Sequence, residues 1–491
     1  MRRRILLIVV LLVALVFALR FVMLAADFDA TVTAARFEDA RADYTALRAF
    51  LRRMPKGGDL HTHLSGAVYA ERFIAWAAER QLCVNLINIV VEHRYCDQAG
   101  AAPVSDALSD QNLYDRLVDA FSMRAFLPTP AVPTSHDQFF ATFEKFDAAG
   151  GSRFDMVLDQ LRQYAGENVQ YVEFMISFSC PNDREKFTNA IKGKEDDTAR
   201  LTALQATGLE DCVAARRGDV AALIGRIRSE LACDTPAAQP ACGVTFRFIA
   251  QVVRDAPLDQ VFIRTAIAAA LIRAEQQVVA LNFVGPEDAL IARRDYTRHM
   301  QIIRFLAPDV PVALHAGELW LGLVPPTDLT FHIREAIEIG GARRIGHGVS
   351  LAFEHDMEGL LAEMRAREVA VEINLTSNDL ILGVRGKDAP LSTYLAAGVP
   401  VVLSTDDAGV SRITLSNEYF RAARDYGFGY RQFKDIAREA LVYSFLDEDQ
   451  KRTELARFDR ACREFEQSVA SAQSPIDNAL ALLRAAVNPA I

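Results

Sequence analysis

Residues 368–407 read EVAVEINLTSNDLILGVRGKDAPLSTYLAAGVPVVLSTDD and contain two apolar runs, 368–376 and 399–407, that both end in polar residues. Most of the apolar side chains are β-branched, and the runs are continuous rather than alternating. Such runs are typical of parallel strands that are covered on both faces. The segment between them is long enough for a helix, so this stretch predicts a strand–helix–strand unit.

Six further runs of the same kind precede this stretch and alternate with longer amphipathic segments. They span 57–63, 169–178, 244–253, 277–285, 310–318 and 343–348. Eight strand–helix units predict an α/β fold, a (β/α)8 TIM-type barrel with helical insertions. In such a barrel, catalytic side chains lie at the C-terminal ends of the strands.

The composition bounds the class of protein. The chain has 491 residues, of which 51% are hydrophobic and 24% charged, so it can bury a large core. Its 54 Lys and Arg against 64 Asp and Glu give a net charge of −10. No basic stripe offsets this charge, which argues against a nucleic-acid partner. We divide the chain into a leading segment (1–26), a helical lead-in (27–53) and a barrel with a C-terminal helical tail (54–491).

The leading segment, MRRRILLIVVLLVALVFALRFVMLAA, has the charged and apolar regions of a secretory signal. Its apolar length also approaches that of a membrane-spanning helix. A cleaved signal and a retained anchor formed by residues 5–26 both remain open, and a buried core helix is a further alternative. We expect an exported protein, periplasmic or secreted, that contacts a membrane only through this segment.

The seven cysteines bear on export, because disulfides persist in oxidising compartments. Two pairs bracket short segments, and a third pair flanks a polar stretch. These pairs are Cys83 with Cys96, Cys233 with Cys242, and Cys180 with Cys212, which would leave Cys462 free. Spacing alone does not decide the pairing, so unpaired thiols remain an alternative.

Polar side chains collect where the predicted strands end. His61 and His63 are two positions apart, so on a strand both imidazoles project to the same side. Alone, the pair is a weak signal for a metal site and is better explained by buried histidines that bond backbone carbonyls. Together with His315 and Asp406 from two later strand ends, it forms a three-nitrogen, one-carboxylate set. That set predicts a catalytic site for one Zn2+ with a coordination position left open.

Three further groups lie next to these predicted ligands. Glu318, three residues after His315, could donate a proton to a ring nitrogen of a substrate. His347 could act as a base or an electrostatic partner toward the attacking water. Asp407 could accept a hydrogen bond from that water, although adjacent aspartates are also common in solvated turns and helix caps.

These motifs resemble those of the adenosine deaminases of the metal-dependent hydrolase superfamily. The segments that carry the resemblance are MPKGGDLHTHLSGA (54–67), LHAGE (314–318), RIGHG (344–348), LTSNDLILG (375–383) and STDDAG (404–409). They occur in the family's order. The N-terminus, the MPKGG opening and the cysteine-bearing insert resemble the family's secreted, growth-factor-related branch.

The resemblance implies hydrolytic deamination of a purine nucleoside, adenosine or 2′-deoxyadenosine, to inosine or 2′-deoxyinosine and ammonia. It implies that His61, His63, His315 and Asp406 bind zinc, that Glu318 protonates purine N1, and that His347 and Asp407 act on the attacking hydroxide. It also implies that the Gly285 N–H meets purine N3 and that Ser65 lies at the ribose 5′-hydroxyl.

Two positions depart from the family pattern. Ser65 replaces an aspartate in HLDGA, which weakens the acceptor available to the 5′-hydroxyl. Ala408 replaces a proline in STDDPG. Deaminases of adenine, AMP or N6-modified purines remain alternatives, as does a non-catalytic nucleoside-binding signalling protein. AMP would require a cationic phosphate cradle, which we do not find near Ser65 or Gly285. A binuclear hydrolase is disfavoured because no strand-end lysine is found to carry a bridging carbamate.

Overall fold

The structure is a computed structural model that describes residues 27–93 and 96–487. The predicted signal or anchor, residues 1–26, lies outside the described residues. Within these ranges, no helix combines the length and the apolar character that a membrane crossing needs.

Eight parallel strands form the centre of the fold, and each lies within one of the eight apolar runs. The strands are β1 (Gly58–His63), β5 (Tyr171–Ile176), β6 (Thr245–Val253), β7 (Val278–Val284), β8 (Ala313–Ala316), β9 (Arg344–His347), β10 (Ala370–Ile373) and β11 (Val401–Leu403). They pair in two sheets of four, ordered β1-β5-β6-β7 and β11-β10-β9-β8.

The two sheets are joined at both edges. Leu281 of β7 pairs with Val312, one residue before β8, and Thr62 of β1 pairs with Asp406, three residues after β11. Both pairings are parallel. The sheet is therefore closed, which confirms the predicted (β/α)8 barrel.

Helices surround the barrel and extend it at both ends of the chain. The lead-in forms Phe28–Arg41 and Tyr44–Arg53. Helices between the first and fourth barrel strands are Leu64–Ala67, Ala70–Glu79, Gln111–Ala120, Ser135–Phe146, Arg153–Gly166, Arg184–Ile191, Asp197–Ala206, Leu209–Glu230 and Leu258–Ala274. The later helices are Leu290–Arg294, Tyr296–Leu306, His332–Glu338, Met357–Ala366, Leu375–Leu382, Leu391–Ala396, Ala408–Ser411, Leu415–Tyr426, Tyr430–Val442, Glu448–Ser471 and Pro475–Val487.

Two insertions carry the disulfides. The first contains a small antiparallel sheet, β2 (Cys83–Asn85), β3 (Val90–Glu92) and β4 (Ala101–Pro103), and the disulfide Cys83–Cys96. The second is helical and contains the disulfides Cys180–Cys212 and Cys233–Cys242. Cys462 is free and buried. The structure therefore has the three pairs that the spacing suggested.

The barrel interior contains a charged cluster below the strand ends. Arg344 on β9 is 1% exposed, and its guanidinium contacts Glu173 on β5 and Glu372 on β10, each at 2.5 Å. A third nitrogen donates to the Tyr443 carbonyl, and the Phe445 ring lies 3.9 Å from the guanidinium carbon. Buried carboxylates are costly unless they are paired, so Arg344 is what makes this pair of glutamates tolerable.

We therefore predict that Arg344→Met destabilises the protein by about 3–5 kcal/mol, because it leaves two buried carboxylates without a cation. Urea unfolding followed by circular dichroism measures the change. The neighbouring Arg343 is exposed, and Arg343→Met is the matched control, expected to stay within about 0.5 kcal/mol. Equal losses for the two variants would contradict this account.

Candidate active site

Four side chains converge at the C-terminal end of the barrel. His61 and His63 lie on β1, His315 lies on β8, and Asp406 follows β11. The Nε2 atom of His315 is 3.0 Å from that of His61 and 3.1 Å from that of His63. Asp406 Oδ1 is 3.3 Å from both of the β1 imidazoles. Tetrahedral zinc, with bonds of about 2.0–2.1 Å, separates its ligand atoms by about 3.3 Å.

The other nitrogen of each imidazole faces a side-chain oxygen. His61 Nδ1 is 2.6 Å from Glu372 Oε2, His63 Nδ1 is 3.1 Å from Gln251 Oε1, and His315 Nδ1 is 2.9 Å from Asn282 Oδ1. An oxygen acceptor at Nδ1 keeps the proton there, which leaves the Nε2 lone pair exposed toward the cluster.

This arrangement fits a cation. With protons on the Nδ1 atoms, three lone pairs and a carboxylate oxygen repel one another at these distances unless a positive charge lies among them. Although burial opposes it, the carboxylates of Asp406 and Glu372 raise the pKa of His61 to about 10, so a proton on this imidazole supplies the charge when no metal is bound. Asp406 Oδ1 is buried and has no hydrogen-bond partner. Burial and the neighbouring imidazoles of His61 and His63 hold the pKa of His315 well below its usual range, so that imidazole stays neutral. The residues therefore suit a divalent ion such as zinc.

The metal-binding cluster is connected to the charged cluster below it. Glu372 accepts from His61 through Oε2 and from Arg344 through Oε1. Both carboxylate oxygens are thus engaged, and the side chain is fully buried. The orientation of His61 therefore depends on the same arginine that stabilises the barrel interior.

His347 and Glu318 lie next to this cluster. His347 Nδ1 is 2.8 Å from Asn378 Oδ1, which leaves Nε2 as the acceptor nitrogen, 3.5 Å from Glu318 Oε1 and 3.9 Å from Asp406 Oδ2. Burial lowers the pKa of His347 to about 4, so it is neutral and can accept a proton. Burial and the nearby Asp406 raise the pKa of Glu318 well above its usual range, so it retains a proton to donate.

The two aspartates after β11 have different surroundings. Asp406 Oδ2 accepts from Ser377 Oγ at 2.5 Å. Asp407 Oδ1 is buried without a hydrogen-bond partner, and burial and Asp406 raise the pKa of Asp407 well above its usual range. A Cβ at Gly66 would lie 1.6 Å from Asp407 Oδ1, so only glycine lets this carboxyl occupy its position.

A cavity of about 380 Å3 opens on these groups. His63, His315, Glu318, Asp406 and Asp407 line one part of it. Ser65 and Gly285, the two predicted substrate contacts, also line the cavity. Gly285 has a φ of +92°, a backbone conformation that side chains disfavour. Of the predicted site residues, the cavity lining thus includes all except His61 and His347. His61 lies 3.0 Å from His315 and His347 lies 3.5 Å from Glu318, and both of these contacts are lining residues.

A second polar network supports Glu318 from below. The Arg254 guanidinium is buried and donates to the carbonyls of Gly285 and His315, while its remaining nitrogen lies 3.8 Å from Glu318 Oε2. Glu287 accepts from the backbone N–H groups of Gly317 and Glu318. Arg254 and Glu287 therefore hold the Glu318 segment and the Gly285 carbonyl in one arrangement.

Sequence reasoning did not single out the residues that orient the cluster. They are Glu173, Gln251, Arg254, Asn282, Glu287, Arg344, Glu372 and Asn378. Glu372 and Asn282 could have been noticed in the sequence, because they are polar residues inside apolar strands that are buried on both faces. The residues that they contact could not be predicted, since these lie on other strands.

Comparison with known proteins supplies an independent line of evidence. Residues 223–461 match the family model described as adenosine deaminase. The chain is 31% identical over 154 residues to an adenosine deaminase of Enterococcus faecalis, which is 31% of this chain and 42% of that protein. It is 34% identical over 171 residues to an aminodeoxyfutalosine deaminase of Streptomyces coelicolor, which is 35% of this chain and 41% of that protein. The chain thus spans about two fifths of the length of these relatives.

Among solved structures, the fold resembles that of Arabidopsis ADAL complexed with GMP. The TM-score is 0.55 at 18% identity, and the match covers 85% of this chain and 99% of the other. At this identity the likeness concerns the fold, and it agrees with the closed barrel described above.

We predict that Gln251→Met weakens Zn2+ binding by about 10–100-fold, because His63 loses the acceptor that orients it. Gln251→Glu keeps an oxygen at the same place and is the matched control, expected to bind within a few-fold of the original chain. Titration of metal-free protein with Zn2+ against a chelating dye measures both. Unchanged affinity in the methionine variant would show that Gln251 does not orient the ligand.

Proposed function

We propose that this chain is a member of the adenosine deaminase family and that it deaminates adenosine or 2′-deoxyadenosine to inosine or 2′-deoxyinosine and ammonia. One observation carries the proposal. Glu318 and Asp407 line the same cavity as the three-histidine, one-aspartate cluster, with the neutral His347 adjacent to both Glu318 and Asp406. A proton donor, a base and a metal site are thus combined in one enclosure.

The metal site is proposed to hold one Zn2+ through His61, His63, His315 and Asp406. Such an ion supplies the Lewis-acid activation that makes water a nucleophile at neutral pH. The protein residues then have separate tasks, which follow from their positions around the cavity.

Proton transfer is divided between Glu318 and His347. Water adds to C6 of the purine, and its proton passes to His347 Nε2, the nitrogen that Asn378 leaves as an acceptor. Glu318 donates its proton to ring N1, which accepts the electron pair released as the C6–N1 double bond opens. The 6-amino group takes up the proton held by His347 and leaves as ammonia with the electron pair of its bond to C6. The C6 hydroxyl forms the carbonyl with an oxygen lone pair and loses its proton to solvent, from which Glu318 is reprotonated, while N1 keeps the proton that it received.

Asp407 and Gly285 position the reactants. The unpartnered Asp407 Oδ1 can accept a hydrogen bond from the attacking water. The Gly285 N–H can donate to purine N3, because a residue without a side chain leaves the ring free to approach. Both groups line the cavity, and neither is a proposed metal ligand.

The decisive experiment follows the change in ultraviolet absorbance as adenosine becomes inosine. Glu318→Gln should lower kcat by about 10²–10⁴-fold, because the amide cannot supply the proton, while bound zinc stays unchanged. The exposed Glu338, on helix His332–Glu338, provides the control Glu338→Gln, which should retain full activity. Full turnover by metal-free protein, or by Glu318→Gln, would refute the mechanism.

We further propose that the enzyme works outside the cytoplasm, with residues 1–26 as the export signal or anchor. The three disulfides support this, because such bonds are rare in reducing compartments. Alkylation and mass spectrometry of protein recovered from cell fractions should find Cys462 as the one reactive thiol after unfolding. Recovery in the cytoplasmic fraction with all seven cysteines alkylated would contradict the proposal.

A further inference from the structure

The cavity has a polar part and an apolar part. The polar part comprises the metal-binding cluster with its neighbours and Gln251, which bonds His63. The remaining side chains of the lining are Ser65 and the apolar Phe139, Phe140, Phe143, Val253, Val284 and Pro286. No lysine or arginine is among the described residues that line this cavity.

This division determines what surrounds each part of a bound nucleoside. The reaction requires C6 of the purine to lie at the metal-binding cluster. N9, which bears the sugar, is at the opposite end of the ring system from C6. The sugar and its 5′ end therefore extend away from the metal-binding cluster, and Ser65 is the lining residue outside the polar part that offers a hydroxyl.

The three phenylalanines that line the cavity come from one helix. Phe139, Phe140 and Phe143 belong to helix Ser135–Phe146, which begins where Thr134 accepts from the Asp137 N–H at 3.1 Å. The rings of Phe139 and Phe140 are 5.4 Å apart. The cavity thus receives three aromatic rings from one helix.

The same helix is attached to the loop that carries Gly285. His136, in the first turn of the helix, contacts Asp288 with 3.1 Å between Nε2 and Oδ1. The His136 ring also packs on Phe140 at 4.9 Å. The phenylalanine face is therefore positioned against the substrate loop by both a polar contact and a ring contact.

A charged 5′ group is disfavoured by this environment. A phosphate or carboxylate on the 5′ carbon would find no lysine or arginine among the described residues of the lining. An apolar group would instead displace water from the phenylalanine face, and a thioether sulfur makes favourable contacts with aromatic rings. A 5′-hydroxyl that reaches Ser65 bonds a hydroxyl, which is a weaker acceptor than the carboxylate of the family pattern.

Building on the proposed function, we infer that the preferred substrates are adenosines whose 5′ carbon bears an apolar group, a methyl or an alkylthio group, rather than a hydroxyl or a phosphate. The specificity-determining residues are Ser65 and the half-buried Phe140. The inference depends on the apolar side chains of the lining and on the absence of lysine and arginine from its described residues.

The test compares kcat/KM of the zinc-loaded chain for four compounds. They are 5′-deoxyadenosine, 5′-deoxy-5′-methylthioadenosine, adenosine and AMP. We expect the two apolar compounds to exceed adenosine by at least tenfold, and AMP to fall at least a hundredfold below adenosine. A ratio of substrates measured on one preparation is insensitive to the fraction of folded enzyme.

Two variants assign the effect to residues. Ser65→Asp should raise kcat/KM for adenosine and lower the methylthio-to-adenosine ratio by at least tenfold. Phe140→Asn should lower the same ratio by raising KM for the methylthio compound, with kcat little changed. Leu127→Asn alters an exposed residue outside the cavity lining and should leave the ratio unchanged.

The outcomes separate this inference from the proposed function. A higher kcat/KM for adenosine or AMP than for the two apolar compounds overturns the 5′ preference. So does a methylthio-to-adenosine ratio that stays the same in Ser65→Asp and Phe140→Asn. Both results leave the deaminase assignment intact. Absence of turnover for all four compounds in zinc-loaded protein overturns both.

Discussion

Mutual repulsion among three imidazole lone pairs and a carboxylate oxygen is the constraint on which the rest of the structure depends. His61, His63 and His315 point Nε2 at one place, where a positive charge makes the separations of 3.0 and 3.1 Å from His315 Nε2 favourable. Each imidazole is held there by an oxygen acceptor on a different strand, namely β10, β6 and β7. The barrel interior is organised accordingly, because Glu372 links the cluster to Arg344 and Glu173 at the other end of the strands.

The backbone conformation of two site residues at the strand ends also positions the site. His347 and Asp406 have φ values of +69° and +60°, and such left-handed residues cost about 1–3 kcal/mol each unless the surroundings hold them. Both residues lie where barrel strands give way to helical turns, at the end of β9 and three residues after β11. The strain aims their side chains into one enclosure, and the buried hydrogen bonds to Asn378 and Ser377 offset it. The apolar part of the cavity carries no such strain, because a regular helix supplies its phenylalanines.

Much of the fold could be predicted from the chain. All eight barrel strands lie within the apolar runs, because continuous β-branched segments have few other stable arrangements. The positions of His61, His63, His315 and Asp406 at strand ends also followed, since parallel strands bring their C-terminal ends to one face. The orienting residues were missed for a physical reason. Gln251, Asn282 and Glu372 act across strands, and the register between strands depends on the closed barrel rather than on local pattern.

The amino-acid sequence by itself determined the order of strands and helices, the donor types of the metal-binding cluster and the resemblance to adenosine deaminases. These follow from local periodicity and from residue chemistry, which need no knowledge of distant contacts. Only the tertiary structure decided which side chains orient the histidines, that Arg344 supports two buried glutamates, and that Phe139, Phe140 and Phe143 cover one part of the cavity. Those features join segments far apart in the chain, and their energies exist only when burial removes water from the groups concerned.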